Sequence, residues 1–272
     1  MGRAPRSKTA ISAEARIISP YFAGGQRLPD YIKPNLDVVF CGINPGTESG
    51  AQRRHYAHRS NHFYACIHMA GLTSERLTPS QDMTFPTLQP YRLGLTNLAH
   101  RPTARSEQLT RIELERGVPE LLMKIARYRP RVICFVGKQI ADVFMRVVRA
   151  SHTSGTVRVP KPLGVLGFWH KSENCEHSDK DRSDGNGDYM YIPKVDVGYG
   201  VLPICMPHEQ TTINTLFFVT PSTSARVTQH QLPGKVRIMS YIPKLLEYGS
   251  SNLSDESRHH VDMLRLCAPA AS

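Results

Sequence analysis

Motifs that mark common classes of enzymes are missing from this sequence of 272 residues. It has neither a Gly-x-x-x-x-Gly-Lys loop nor a Gly-x-Gly-x-x-Gly turn, which weakens the case for a nucleoside-triphosphate or dinucleotide enzyme. It also lacks an apolar run long enough to span a bilayer, and no signal-peptide core follows the N-terminal methionine. These absences favour an intracellular protein that is neither secreted nor embedded in a membrane.

Cysteine pairs typical of metal or redox sites are missing too. The six cysteines include no Cys-x-x-Cys pair, and three of them lie in stretches of core-like composition. We therefore expect reduced, buried thiols. His170, Cys175 and His177 are the closest approach to a metal cluster, but their spacing matches no usual zinc arrangement. The sequence predicts a solvated loop at that place, no metal and no other cofactor.

Negative charge is scarce relative to positive charge. The chain has 34 Lys and Arg against 23 Asp and Glu, which gives a formal charge of +11 and suits a polyanionic partner. Many basic proteins bind no nucleic acid, so the charge alone does not identify the partner. Residues 1–27 begin with a basic run and form an arm that we expect to be disordered. The arm fits a nuclear address, a phosphate-binding tail or a frayed terminus, and we expect a nuclear protein if the source is eukaryotic and a cytoplasmic one otherwise.

The order strand, glycine, helix occurs twice and predicts the fold class. Residues 37–43 form a buried strand that ends in a Gly-x-Asn-Pro-Gly turn, and a helix stopped by Gly71 follows. Residues 131–137 form the clearest buried strand and lead into a helix over 138–148. This pattern predicts an α/β fold with three layers, α/β/α, around a short, mainly parallel sheet. We expect one domain over residues 28–248.

The other predicted elements are less regular. Thr110 and Glu113 fit a capping box for a helix in which Pro119 predicts a kink or a fresh start. Residues 151–207 form a polar insertion within the domain, and residues 249–272 form a tail with little signal. The remaining elements are a short strand at 93–98, edge strands at 165–169 and 201–206, a last core strand at 216–219, and a helix over 236–248 that Pro243 is expected to break.

Three polar loops follow predicted strands, at residues 42–46, 97–103 and 222–226. The carboxyl ends of parallel strands meet at one edge of a sheet, where ligands bind. Glu48 is the one acid close to the first loop, so a two-carboxylate hydrolase mechanism lacks an obvious pair. Asn44 is presented there by backbone that the following proline restricts. The sequence therefore predicts a ligand site whose reactive group is an amide.

Motifs in these loops and around them resemble the mismatch-specific uracil/thymine-DNA glycosylases. They cover about residues 28–148 and 215–248, in the family's order and at family-like spacing. The matching motifs are Leu28-Pro29-Asp30, Asn35-Leu36-Asp37, Gly42-Ile43-Asn44-Pro45-Gly46, Tyr56, Asn61-His62-Phe63, Gly94-Leu95-Thr96-Asn97, Arg101-Pro102-Thr103, Tyr128-Arg129-Pro130-Arg131, Val136-Gly137-Lys138 and Pro221-Ser222-Thr223-Ser224-Ala225-Arg226.

The resemblance implies an activity on double-stranded DNA. A mispaired or modified pyrimidine is flipped out of the duplex and its N-glycosidic bond is hydrolysed, which leaves an abasic site for base excision repair. The implied substrates are uracil and thymine opposite guanine, with 5-formylcytosine and 5-carboxylcytosine as further candidates. The resemblance implies a monofunctional enzyme without a metal, and we expect it to act as a monomer.

The resemblance also assigns the pocket residues. Asn44 occupies the position that binds the attacking water, and Thr103 shares that water. A neutral amide is a poor base, so bond breaking should precede attack, and backbone N–H groups of the 42–46 turn should stabilise the departing base. The residues implied to contact the base are Gly42, Ile43, His55, Tyr56, Asn61 and Asn97. Tyr56 would stack on the base, although packing within its loop is an equal alternative, and Asn61 and Asn97 are also suited to capping a helix or fixing a turn.

Contacts to the DNA backbone and duplex are implied by a second group of residues. Arg226 matches the wedge that enters the duplex where the base has left, and Gln229 lies where the family contacts the orphaned guanine. The implied DNA-binding residues are Lys138, Ser222, Thr223, Ser224, Ala225, Arg226 and Gln229. The alternatives are an ordinary turn for the Ser/Thr cluster and an exposed surface arginine for Arg226.

Two other functions stay open at this point. One is a DNA-binding module that keeps the pocket to recognise bases without catalysis. The other is an α/β enzyme that binds a nucleotide or a phosphosugar and whose basic charge serves only solubility. Excision of uracil from a duplex separates both alternatives from a glycosylase.

Overall fold

The computed structural model describes residues 27–160, 198–209, 214–250 and 260–267. Within them lies a seven-stranded sheet with the strand order β2-β1-β3-β6-β5-β7-β4. The strands are β1 Val38–Gly42, β2 Leu93–Asn97, β3 Val132–Val136, β4 Thr153–Pro160, β5 Gly200–Pro207, β6 Asn214–Thr220 and β7 His260–Leu266. Residues 1–26 of the predicted basic arm, the edge strand at 165–169 and the His170, Cys175 and His177 loop lie outside the described residues.

Six α-helices connect or flank these strands in the described part of the chain. They are α1 Thr47–Gln52, α2 Phe63–Met69, α3 Arg111–Tyr128, α4 Lys138–Ser151, α5 Leu232–Met239 and α6 Tyr241–Ser250. Two 3-10 helices, Pro79–Thr87 and Ser106–Gln108, add to them. No helix of the described residues is long and apolar enough to cross a membrane.

One half of the sheet is parallel and carries the site. Strands β2, β1, β3 and β6 run parallel, with Gly42 opposite Asn97 and Val136 opposite Thr220. Helix α2 packs against α5, and α3 packs against α4, while α4 and α5 both contact β6. The predicted three-layer α/β/α fold with a mainly parallel sheet is confirmed. All residues of β1, β2 and β3 are buried, as expected for strands that are covered on both faces.

Two prolines, Pro119 and Pro243, do not start or break a helix where the sequence predicted it. Helix α3 runs without interruption through Pro119, so the fresh helix predicted there is wrong. Its buried face includes Val118 and Leu121, and this packing outweighs the hydrogen bond that proline removes. Near the C-terminus the predicted helix is interrupted at Ser240, between α5 and α6, and not at Pro243. Pro243 instead lies in the first turn of α6, where helical N–H groups lack intrahelical acceptors anyway.

The antiparallel half of the sheet comes from segments for which the sequence indicated little structure. Strand β5 was expected at the edge, but it lies inside the sheet between β6 and β7. Strand β7 follows the predicted last strand and pairs with β4 and β5, and its Met263 is fully buried. Neither β4 nor β7 was predicted. The domain boundaries themselves stay a prediction.

Candidate active site

A cavity of about 930 Å³ opens at the carboxyl ends of the parallel strands. The three loops predicted to meet do so here, since the cavity is lined by the 42–46 turn at the end of β1, by Asn97 at the end of β2 with Thr103 beyond it, and by residues 222–227 after β6. A fourth wall comes from the β3–α4 junction, including Lys138. A concave site of this size at the strand ends is the usual place for a ligand in an α/β sheet.

Asn44 is fixed in one orientation by its neighbours. Its Nδ2 donates to the Arg101 carbonyl at 2.8 Å and to Thr103 Oγ1 at 2.7 Å. A carbonyl only accepts hydrogen bonds, so the atom that faces it must be the amide nitrogen. Both Nδ2 hydrogens are therefore used, and Oδ1 makes no hydrogen bond with another described residue. The amide offers the cavity an acceptor for a water O–H.

An ion pair behind Asn44 holds the carbonyl to which it binds. Arg101 donates through Nε and Nη2 to the two carboxylate oxygens of Glu113, at 2.6 and 3.0 Å. Glu113 also accepts from the backbone N–H of Thr110 in the capping box of α3. Hydrogen bonds from Arg101, with help from Thr110, lower the pKa of Glu113 to about 2, so the carboxylate stays ionised near neutral pH. The start of α3 thus fixes the position of Asn44.

Gly42, Tyr56 and Asn97 form the inner wall of the cavity. A Cβ placed at Gly42 would lie 2.5 Å from Asn97 Oδ1 and 3.3 Å from Tyr56 Oη, so only glycine leaves room for both side chains. Tyr56 stacks on Phe63 with ring centroids 3.8 Å apart, and its buried hydroxyl lacks a hydrogen-bond partner among the described residues. The amide of Asn97 likewise bonds to no described side chain or backbone group. Polar groups of this kind are suited to the edge of a flipped base.

His55 lines the same cavity and is buried, with 1% of its surface exposed. Its Nε2 bonds the Pro29 carbonyl at 2.8 Å, and its backbone N–H donates to Asp82 at 2.9 Å. Burial lowers the pKa of His55, so the ring is neutral and Nε2 carries the proton it donates. Arg54 pairs with the same aspartate at 2.7 Å. These contacts anchor the chain beside Tyr56, while contact of His55 with a base stays a prediction.

Asn61 combines a capping contact with a place at the cavity. Its Oδ1 accepts from the backbone N–H of Phe63 at 3.0 Å, which caps the start of α2. The next residue, His62, donates its backbone N–H to the carbonyl of Thr223 at 2.9 Å. Asn61 also lines the cavity, and its Nδ2 makes no hydrogen bond with another described residue. The helix-capping alternative is therefore observed, and the base contact stays a prediction beside it.

The 222–226 loop is held by its own hydroxyl groups. Ser222 Oγ accepts from the backbone N–H of Ser224, and Ser224 Oγ accepts from that of Arg226, both at 3.3 Å. Thr223 is buried, whereas Ala225 and Arg226 are exposed. Arg226 donates through Nη1 to the carbonyl of Ala104 at 3.0 Å, across the cavity from its own loop. Gln229 is exposed and lies outside the cavity lining, so the structure does not bring it to the pocket.

Tyr199 lines the cavity although sequence reasoning assigned it no role. It follows Gly198, whose φ of +90° suits glycine, and a Cβ at Gly198 would lie 2.7 Å from Lys138 Nζ. Both residues belong to the stretch predicted as a polar insertion. That stretch carries no motif of the resembled family, so no signal for Tyr199 was available. Among the described residues, no group of three or more His, Cys, Asp or Glu could hold a metal ion.

Comparison with protein families agrees with this geometry. The family model of the uracil DNA glycosylase superfamily matches residues 29–241, which include every predicted site residue and all the residues lining the cavity except Leu28. Members of this superfamily are hydrolases that act on DNA and release bases in base excision repair. Because the match covers well over half of the 272 residues, this chain belongs to the uracil DNA glycosylase superfamily and is a DNA glycosylase.

Proposed function

We propose that this glycosylase removes uracil and thymine opposite guanine from double-stranded DNA, with 5-formylcytosine and 5-carboxylcytosine as further substrates. The orientation of Asn44 carries the catalytic part of the proposal, because its two Nδ2 contacts leave only Oδ1 to hold the attacking water. The mismatch preference rests on the resemblance of the ordered loop motifs to the mismatch-specific family. We place the enzyme in the nucleus if its source is eukaryotic and in the cytoplasm otherwise.

The amide at position 44 determines the order of bond changes in the proposed reaction. Asn44 Oδ1 orients a water by accepting one hydrogen bond, but a neutral amide does not take the proton. The bond between the base and C1′ therefore breaks first, and its electron pair leaves with the base as an anion. The water then adds to C1′ of the oxocarbenium-like sugar, and the released anion takes up the proton.

The pocket must therefore stabilise the anion of the departing base. Backbone N–H groups of the 42–46 turn and the amide of Asn97 are the proposed donors. Burial raises the pKa of Tyr56 well above its usual range, so its hydroxyl stays protonated and adds a third donor. One face of the Tyr56 ring stacks on Phe63, and this contact holds the ring in place. The opposite face is the one proposed to stack on a flipped base.

The proposal is tested by single-turnover excision on labelled duplexes that contain G·U, G·T, A·U or A·T pairs. Hot alkali cleaves the abasic strand, so each excision event gives a nick. We expect nicks at uracil and thymine opposite guanine and slower nicking at uracil opposite adenine. Intact G·U strands under enzyme excess would contradict the activity, and equal rates on G·U and A·U would contradict the mismatch preference.

Asn44→Ala tests the proposed role of the Asn44 amide in holding the attacking water. This change removes the acceptor for the attacking water, so excision should fall by roughly a hundredfold or more, as when one preorganised catalytic group is removed. Binding to a G·U duplex should stay within about twofold, because Asn44 contacts water rather than phosphate in this proposal. The measurement compares the single-turnover rate with the Kd. Undiminished excision by the variant would contradict the role of Asn44.

A base-recognising module without catalysis is the alternative that the same pocket allows. Such a protein binds the G·U duplex tightly and leaves it intact. In that case Asn44→Ala changes neither the products nor the length of the strands. The wild-type excision assay alone therefore decides between the two functions.

A further inference from the structure

Lys235 is a buried lysine that the proposed chemistry does not use. It lies in α5 and is 1% exposed. Its Nζ donates to the carbonyl of Ser224 at 2.8 Å and lies 3.4 Å from His62 Nδ1. The side chain therefore connects α5, the start of α2 and the 222–226 loop.

The ammonium group of Lys235 lacks an anionic partner in the described part of the chain. None of the ion pairs among the described residues includes it. Its two contacts are a carbonyl and an imidazole whose pKa burial lowers, and burial also keeps the thiol of nearby Cys66 neutral by raising its pKa to about 11. Burial lowers the pKa of Lys235, as expected for a buried ammonium group without a counter-ion, and an anion bound from outside the protein would offset this cost.

The peptide between Ser224 and Ala225 links this charge to the cavity. In a trans peptide the C=O and N–H bonds point in opposite directions. The Ser224 carbonyl points inward and accepts from both Lys235 Nζ and the N–H of Val227. The N–H of Ala225 therefore points outward, Ala225 is exposed and lines the cavity, and this N–H bonds to no other described residue. Hydrogen bonds to the carbonyl polarise the peptide and strengthen the opposite N–H as a donor.

We propose that Lys235 is a positioning residue for DNA: it fixes and polarises the Ser224–Ala225 peptide so that the Ala225 N–H binds a phosphate beside the flipped nucleotide. That phosphate is then the counter-ion of the buried ammonium. The inference rests on the proposed function only in placing the target nucleotide in this cavity. It adds a charge that reaches DNA through one peptide group and does not itself touch the nucleic acid.

The test is a cycle between a protein change and a DNA change. The probe is a G·U duplex whose target uridine carries a 2′-fluorine, which destabilises the oxocarbenium-like sugar and so prevents excision. Each phosphate that flanks this nucleotide is replaced in turn by a neutral methylphosphonate. Kd is measured for the wild type and for Lys235→Met, with Lys244→Met as the control, since it removes one charge from an exposed lysine.

At one flanking phosphate, the methylphosphonate should weaken wild-type binding about tenfold and leave Lys235→Met binding almost unchanged. Lys235→Met should bind the unmodified probe about tenfold less tightly than the wild type, while Lys244→Met stays within about twofold. The thermal midpoint of Lys235→Met should be unchanged or raised, because the substitution removes a buried charge. If the losses in affinity from Lys235→Met and from the methylphosphonate multiply at every flanking phosphate, the proposal is overturned, because independent groups give additive free energies.

A measurement on the wild type covers the case in which Lys235→Met does not fold. The amide proton of Ala225 should shift downfield in NMR spectra when the fluorinated duplex binds. The shift should disappear with the one methylphosphonate that weakens binding. An Ala225 amide that does not respond to any flanking phosphate would overturn the proposal. All these readouts are binding measurements on an uncleaved duplex, so a failure of the excision assay is distinguishable from a failure of this inference.

Discussion

At the scale of single residues, the candidate site combines polar groups that are fully hydrogen-bonded with polar groups that have no partner among the described residues. Asn44 donates both amide hydrogens to protein acceptors, and its Oδ1 makes no hydrogen bond with another described residue. Tyr56 keeps a buried hydroxyl without a partner in the described residues, which costs free energy that a bound base would recover. Such unpaired polar groups select a ligand by its complementary edge.

Gly42→Ala tests the inner wall of the pocket. The added Cβ would lie 2.5 Å from Asn97 Oδ1, so the amide must move out of its place. We expect excision of uracil from G·U duplexes to fall by roughly tenfold or more, as expected when a binding group is misplaced by about an ångström. The readout is the single-turnover rate under enzyme excess.

Gly46→Ala is the matched control in the same turn. A Cβ at Gly46 meets no atom within 4 Å, and its φ of −68° suits alanine. This variant should excise at close to the wild-type rate. If both variants are equally active, Gly42 is not required by the contacts with Asn97 and Tyr56.

At the scale of elements, the first turn of α3 supports the proposed catalytic amide of Asn44. Glu113 closes the capping box with Thr110 and also holds Arg101, whose carbonyl binds Asn44. A helix start that is stabilised locally therefore sets the position of Asn44, the proposed water-binding residue, on another loop. The arrangement explains why α3 begins where it does as well as how the amide is oriented.

Glu113→Gln should change both acid sensitivity and catalysis. The folded pKa of Glu113 is about 2, below its ordinary value, so its contribution to stability is complete above that ordinary value. That contribution is lost as the pH falls from the ordinary carboxyl range towards about 2. Relative to the wild type, the variant should melt at a lower temperature near pH 7, and the difference should shrink as the pH falls through this window. Its excision rate should also fall because Arg101 is released.

Glu75→Gln is the control for the loss of one carboxylate. Glu75 is exposed, and its only hydrogen bond with another described residue is the one that its backbone carbonyl accepts from Thr73. Thermal melts of the two variants between pH 2 and pH 7 should therefore differ. Parallel pH profiles for wild type and Glu113→Gln would show that the Arg101 pair does not stabilise the fold.

At the scale of the whole molecule, the two halves of the sheet share one core. The parallel half, from β2 to β6, carries the cavity, and the antiparallel strands β5, β7 and β4 extend it. Core residues run without a break from Val39 through Phe217 to Met263. The protein has a formal charge of +11. Its partner is DNA, whose phosphate backbone carries the opposite charge.

Met263→Ala tests whether β7 belongs to this core. Met263 is fully buried, so truncation should lower the free energy of unfolding by about 2–5 kcal/mol. Met69→Ala is the control, because Met69 is 58% exposed and its truncation should change stability by less than about 0.5 kcal/mol. Urea unfolding of both variants measures the difference. Equal stability of the two would mean that β7 contributes little to the folded state.

The sequence alone determined the parallel half of the fold and the meeting of three loops at its edge. Buried strands such as 131–137, each followed by glycine and a helix, are local patterns, and their topology places the strand ends together. The resemblance identified Asn44 and the loop after β6 as parts of one site. These features were predictable because each is encoded in neighbouring residues.

Only the tertiary structure decided the remaining features, because they depend on contacts between distant segments. Strands β4 and β7 form through pairing between residues about a hundred positions apart, and neither has a clear local pattern. The orientation of Asn44 depends on the carbonyl of Arg101, and Lys235 in α5 donates to the carbonyl of Ser224 in the loop after β6. Side-chain periodicity reports which face of an element is buried, but it does not report which polar atom from elsewhere in the chain will meet it.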